Sequence, residues 1–355
     1  MAGVILTLIA VLLMFLGGLL DGLLASSTGA YRAQQAELIV YSSSAKASLV
    51  RSRIEPEVRA QVEQAAEAAG AEVGGLGSVQ LGARMEGRGV RDLISVALLG
   101  YEVAPEGAPA EPPATGEVIA DRALEGDDVQ LGDELLLGPA RTPVTVVGWV
   151  EDSQYNGQGT LWGSLETWRA VTNANRPDAA VGDDVVQALV ISDPDGDLDA
   201  AAIDEATGGA TETFTIDDAI AAIPGVEAQQ GTFNQIIGLT VIIAIVVVAL
   251  FFALLTVERT ALYGVLKAIG ASSRTLFGGV VLQAVLVTLG AAALGALATV
   301  AFGALIPPGT IPFTVLPARI ISSVVFLLIA AVIGCAFSLR RVLRIDPASA
   351  IGGTQ

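Results

Sequence analysis

From Ile236 to Val257 the chain carries no charged residue. The runs from Leu276 to Ile306 and from Ile320 to Leu339 are also uncharged, and the run from Ala2 to about Leu24 is broken only by Asp21. A membrane-spanning helix needs about 20 apolar residues, longer than the apolar run of an ordinary core helix. These blocks therefore predict four transmembrane helices. Pro307, Pro308, Pro312 and Pro317 punctuate the connection between the last two.

Charge divides the same chain in two. Residues 1–234 hold 12 Lys and Arg against 35 Asp and Glu, whereas residues 235–355 hold 7 against 2. A basic, apolar C-terminal part beside an acidic middle predicts a membrane part plus a water-soluble part. Arg259, Lys267 and Arg274 follow the second block, and Arg340, Arg341 and Arg344 follow the fourth. The excess of basic residues in cytoplasmic loops places both clusters inside the cell. The polar middle and the loop 307–319 then lie outside, and the first block runs outward from a nearly absent cytoplasmic N-terminus. The competing reading of residues 1–30 is a cleaved signal peptide. It lacks the positive leading segment, and its apolar run is long for that role.

The composition excludes several functions. The chain has no histidine and one cysteine, Cys335, so it lacks the commonest general base and offers no cysteine cluster for zinc or iron–sulfur. The acidic soluble part would repel nucleic acid. Neither a GxSxG elbow nor a GxxxxGK[ST] phosphate loop occurs. No catalytic residues are assigned, and the chain is read as a non-enzyme. Asp193-Pro-Asp-Gly-Asp-Leu-Asp199 suggests a calcium loop, but the positions needing Gly and Glu hold Leu198 and Asp204. A turn leading to a helix N-cap explains it better.

In the middle, strands are predicted at 37–41, 90–101, 116–123, 132–138, 144–149 and 185–192, and helices at 55–69 and 198–207. The Pro-, Ala- and Gly-rich run 101–116 predicts an internal boundary. Gly18 and Gly22 in the first block, and Ala291, Gly295 and Thr299 in the third, form small-residue stripes suited to close helix packing.

The short basic stretch between the second and third blocks carries the strongest pattern. Leu262, Val265, Leu266 and Ile269 fall at i, i+3, i+4 and i+7, one face of a helix. Gly270 is placed to end it, and Ser272 or Ser273 to cap the next. Two readings stay open: a helix resting on the inner membrane surface, or a docking helix for a cytoplasmic partner.

Around Gly264-Val-Leu-Lys-Ala-Ile-Gly-Ala-Ser272 this stretch resembles the corresponding loop of MacB/FtsX-type ABC transporter permeases, and Arg344-Ile-Asp-Pro-Ala-Ser-Ala-Ile351 resembles the tail that often closes such chains. Phe251-Phe252, Tyr263–Lys267, Leu19–Gly22 and Val40–Arg51 look most like the HrtB/DevC branch, whose members export haem or glycolipid with a partner ATPase. The resemblance implies an α-helical membrane protein with four transmembrane helices and a MacB-like α+β extracytoplasmic domain inserted between helices 1 and 2. The expected divisions are a first helix over 1–30, the domain over 31–234 with a β-rich lobe about 116–182, and a second helix over 235–257. A cytoplasmic coupling helix over 258–274, a third helix over 275–306, an outer loop over 307–319, a fourth helix over 320–339 and a cytoplasmic tail over 340–355 follow.

The resemblance further implies export by mechanotransmission. Two permease chains pair in the bilayer, and two copies of a cytoplasmic ABC ATPase drive them with ATP. Glu258, Arg259, Tyr263, Gly264, Leu266, Lys267 and Gly270 are the implied ATPase-coupling residues. Haem is the leading candidate cargo, with no covalently bound cofactor and no resident metal. Near the outer ends of the first two spans, Asp21, Tyr31, Phe233 and Gln235 are the candidate substrate residues. An intramembrane carboxylate such as Asp21 is a functional candidate by default. The alternative is an FtsX-like regulator that activates an outside partner without transporting anything.

Overall fold

The computed structural model describes residues 2–85, 89, 92–193, 196, 198–258, 265–266, 269, 272–306 and 311–342. In chain order these form α1 (Ala2–Arg32), β1 (Leu38–Ser42), α2 (Pro56–Ala68), β2 (Glu72–Met85), β3 (Ile94–Tyr101), β4 (Glu117–Asp121), β5 (Glu134–Leu137) and β6 (Thr142–Val150). There follow β7 (Gly159–Ser164), α3 (Leu165–Asn175), β8 (Ala188–Ser192), α4 (Ala200–Ala206), β9 (Thr211–Thr215), α5 (Ile216–Ala222), α6 (Val226–Glu258), α7 (Ser273–Leu305) and α8 (Pro317–Val342). The chain divides into two compact units. One holds Met1–Gly22, Gln230–Ile306 and Phe313–Gln355; the other holds Leu23–Gln229 and Pro307–Pro312.

The first unit is helical. Four helices, α1, α6, α7 and α8, are long and apolar enough to cross a membrane. At about 1.5 Å per residue, the 33 residues of α6 and of α7 each exceed the ~30 Å hydrocarbon core. Packing follows the small residues. A Cβ on Gly295 of α7 would lie 2.7 Å from the Ala10 Cβ of α1, and one on Gly334 of α8 would lie 2.9 Å from the Ala249 nitrogen of α6. Ala291 and Thr299 on the same stripe as Gly295 are buried. Outward from these seams, Val4, Leu8, Leu239, Leu250, Leu254 and Leu297 stay exposed. Apolar surface this continuous requires lipid or another protein against it.

The second unit is α+β with a nine-stranded sheet, ordered β3-β7-β4-β6-β5-β2-β8-β1-β9, and an added β3–β2 pairing closes part of it into a ring. Pairing is mixed: β3–β7 and β4–β6 are parallel, and the other ladders are antiparallel. The strands expected at 37–41, 90–101, 116–123, 132–138, 144–149 and 185–192 form as β1, β3, β4, β5, β6 and β8, and the expected helices as α2 and α4. Asp199 caps α4 by accepting from the Ala201 N–H, so the acidic run after Asp193 does lead into an N-cap. Residues 101–116 do not divide the unit. The Tyr101 hydroxyl donates to the Pro109 carbonyl and the Gly116 N–H to Thr167 Oγ1, tying the run to β3 and α3.

The long strand β2 has no clear signal in the sequence, because Gly74, Gly75, Gly77 and Gly82 hide its alternation. Those glycines answer to packing: a Cβ on Gly77 would sit 2.4 Å from the buried Trp168 ring, and one on Gly74 2.6 Å from Val103.

A polar knot lies inside this core. Asp121 Oδ2 accepts from the Ser153 N–H and Oγ–H, both at 2.8 Å, and Oδ1 accepts from the Ala123 N–H at 2.9 Å. Ser153 Oγ in turn accepts from Trp162 Nε1 at 3.1 Å. Burial raises the Asp121 carboxyl above its usual range, while the bonds from Ala123 and Ser153 pull it down. The folded domain therefore gives up this proton at higher pH than the unfolded chain, and the group's stabilising contribution falls as pH rises from the ordinary carboxylate range through the raised value. Asp121→Ala leaves several buried donors unsatisfied, each costing about 1–3 kcal/mol. The expected result is a lower unfolding midpoint in thermal or urea melts, with an unchanged midpoint counting against the knot.

Candidate functional site

Asp21 of α1 and Arg319 of α8 meet within the helical unit. Arg319 Nε donates to Asp21 Oδ2 at 2.9 Å and a terminal guanidinium nitrogen to Oδ1 at 2.5 Å, a two-point fork. The Asp21 side chain is 7% exposed and that of Arg319 30%. The fork needs glycine beside it: a Cβ on Gly17 would lie 2.7 Å from Arg319 Cδ. One turn away the connection between α7 and α8 is stapled to α1. Thr314 N–H donates to the Gly18 carbonyl at 3.1 Å, and a Cβ on Gly18 would come 2.7 Å from the Phe313 ring. Phe313 stacks on Phe15 at 5.2 Å, and Phe302 of α7 meets Phe15 edge-on at 5.4 Å. Gly18 thus packs on a loop residue, an arrangement its GxxxG spacing did not specify.

A carboxylate paired in this way is neutralised where it sits, and the pair ties α1 to α8. The signal for its partner is present in the sequence. Arg319 is the one charge in 307–319, as Asp21 is the one charge in its block. A buried ion of either sign demands the other.

The remaining substrate candidates fall on α6 and on the end of α1. Phe233 is half-buried and Gln235 exposed on α6. Neither is joined to Asp21 by a hydrogen bond or ring contact among the described residues. Tyr31 belongs to the other unit. It is buried, its hydroxyl accepts from that of Tyr41 at 3.2 Å, and its ring lies 5.9 Å from that of Tyr155. Burial raises both Tyr41 and Tyr155 above the usual phenol range, so the cluster stays neutral. Among the described residues no group of three or more Cys, Asp or Glu is placed to hold a metal.

Of the expected coupling residues, Glu258 closes α6 and is exposed. Arg259, Tyr263, Gly264, Lys267 and Gly270 lie outside the described residues. Val265 and Leu266 are helical, and the Ile269 N–H donates to the Val265 carbonyl at 3.1 Å, the i to i+4 bond of a helical turn. Their side chains are open: Val265 is 56%, Leu266 37% and Ile269 79% exposed. Ser272 caps α7, its Oγ accepting from the Thr275 N–H at 3.1 Å.

Residues 234–347 match the FtsX-like permease C-terminal family. That stretch is similar to an FtsX-like permease domain. Two Staphylococcus epidermidis proteins described as the hemin transport system permease HrtB are 25% and 24% identical over 144 residues, 41% of this chain and 41% of theirs. A Staphylococcus haemolyticus protein with the same description is 22% identical over 246 residues, 69% of this chain and 66% of its own length. The chain thus spans under half to about two thirds of the length of these relatives. The periplasmic region of MacB from Actinobacillus actinomycetemcomitans covers 53% of this chain and 92% of its own at 11% identity, with a TM-score of 0.36, too loose a likeness to bear on function. The permease domain and the HrtB relatives support an FtsX/MacB-like ABC permease of the HrtB branch, as the sequence resemblance implied. Four helices long and apolar enough to cross a membrane accompany a stretch that matches a permease family, the pattern of a multi-pass membrane protein.

Proposed function

We propose that this chain is the permease subunit of an ABC efflux system, driven by a separate cytoplasmic ATPase through mechanotransmission. The observation that carries the reading is the FtsX-like domain with an exposed apolar turn at Val265, Leu266 and Ile269, between α6 and α7. An apolar helical face of that kind fits a groove on a partner protein. In this reading two copies pair in the bilayer, each engages one ATPase through residues 258–274, and Leu23–Gln229 lies outside the cell membrane. Substrate enters from the membrane or its outer face. The spans support this route, because a polar path through them would need polar lining residues. Haem is the leading cargo, because the HrtB relatives are described as hemin transport permeases.

The test is a deletion strain challenged with haem, together with affinity purification of the tagged chain. The expected outcome is lowered haem tolerance, restored by the parent gene, and recovery of an ABC ATPase with the chain. Normal tolerance with the ATPase recovered removes haem and leaves a lipid or peptide cargo, or the regulator that activates an outside partner. Failure to recover any ATPase overturns the proposal.

A further inference from the structure

The last turns of α1 take part in backbone bonds from outside the helix. In a regular helix the carbonyls of Ser26 and Ser27 accept from the N–H groups four residues on, those of Ala30 and Tyr31. Here the Ala30 N–H donates to the Gln154 carbonyl at 3.0 Å. The Gly157 N–H donates to the Ser26 carbonyl at 2.8 Å and the Asn156 N–H to the Ser27 carbonyl at 3.1 Å. Thr28 and Tyr155 form an antiparallel bridge. The connection between β6 and β7 is therefore spliced by backbone bonds onto the last turns of α1.

Local chemistry prepares both partners. On the helix, Ser26 Oγ donates to the Leu23 carbonyl at 3.0 Å and Thr28 Oγ1 to the Leu24 carbonyl at 2.6 Å, side-chain bonds that bend helices. Gly29 lets the strand-like segment in: a Cβ there would lie 2.5 Å from the Asp152 carbonyl oxygen and 2.9 Å from the Gln154 nitrogen. On the hairpin, Tyr155 and Gln158 exchange two backbone bonds of 3.0 Å around Asn156 (φ 51°) and Gly157 (φ 74°). Positive φ at both central residues makes a type I′ turn, for which Asn-Gly is the favoured pair. The same connection is rooted in the core, because Ser153 is held by Asp121 and receives the Trp162 N–H.

We infer that this splice is a force-bearing joint, through which a displacement of α1 reaches the β6–β7 hairpin and the Asp121 knot behind it. The inference rests on the mechanotransmission reading and adds where the helix grips the domain. Backbone bonds suit such a joint because they are short, directional and independent of rotamer. A hinge of free linker would dissipate the same displacement.

The experiment uses the full chain in lipid nanodiscs, with its ATPase where one associates. Hydrogen exchange reads the joint directly. In the parent protein the amides of Ala30, Asn156 and Gly157 should exchange at least about 100-fold more slowly than those of an open surface turn. Gly29→Val should abolish that protection, keep ATPase binding and ATP hydrolysis, and lower export about tenfold. Should Gly29→Val fail to fold, Gly157→Ala gives a milder lesion, since only the positive φ opposes it. Asn156→Asp, which also suits this turn, should retain both protection and export. Parent amides that exchange like an open turn overturn the joint whatever the partner does. Full export by a variant that has lost protection also overturns it. Protected amides in a chain that binds no ATPase support the splice and overturn the proposed transport role instead.

Discussion

Replacing Arg319 by methionine should lower the unfolding temperature of the detergent-solubilised protein more than replacing Asp21 and Arg319 together. The arginine provides both bonds of the fork to a carboxylate that is 7% exposed. Removing it strands a buried negative charge, and breaking a buried pair from one side costs about 3–5 kcal/mol. The double variant Asp21→Asn with Arg319→Met removes both charges and should recover most of that loss, since a matched apolar replacement of such a pair is often neutral. A double-mutant cycle read by thermal melts checks the coupling. Additive losses in the two single variants would show that the two groups do not depend on each other. The Phe313–Phe15 stacking and the Thr314–Gly18 bond remain in all variants, so any residual attachment of the α7–α8 connection to α1 is assigned to them.

The second large effect concerns the turn between α6 and α7. Leu266→Asp or Ile269→Asp should reduce recovery of the partner ATPase at least about 30-fold, the scale of losing a 2 kcal/mol interface anchor. Both side chains are exposed, so the substitutions disturb no described packing within the chain. Leu131→Asp is the control, an exposed leucine in the other unit. Membrane fractionation separates the rival reading. If the turn merely rests on anionic lipid, the aspartate variants still bring down the ATPase at the parent level, and the docking role is lost.

Much of the fold is legible in the residues alone. Four apolar runs become α1, α6, α7 and α8 because a hydrophobic stretch of that length has few other solutions. Strands that are short continuous apolar runs, such as β1 and β8, are plain in the sequence, whereas β2 is hidden because its glycines serve Trp168 and Val103 instead of a pattern. The expected division at 101–116 fails for a related reason. Proline and glycine mark a bend in the chain, but only packing decides whether a bend separates two cores. Within the site, Asp21 stands out in the sequence as an unusual charge, but its pairing with Arg319, distant in sequence, is seen only in the fold. The Tyr41 and Tyr155 neighbours of Tyr31 are likewise visible only in the fold.

The sequence by itself determined that the chain has four runs long and apolar enough to cross a membrane, that an acidic polar stretch follows the first of them, and that one short stretch has the periodicity of an apolar helical face. Those properties follow from composition and local periodicity. Only the tertiary structure decided which charge pairs with Asp21, which glycines are contact points, and that a hairpin turn bonds to the last turns of α1. These depend on groups distant in the chain being brought within a few ångströms, and the energy of a hydrogen bond or an ion pair is set at that range.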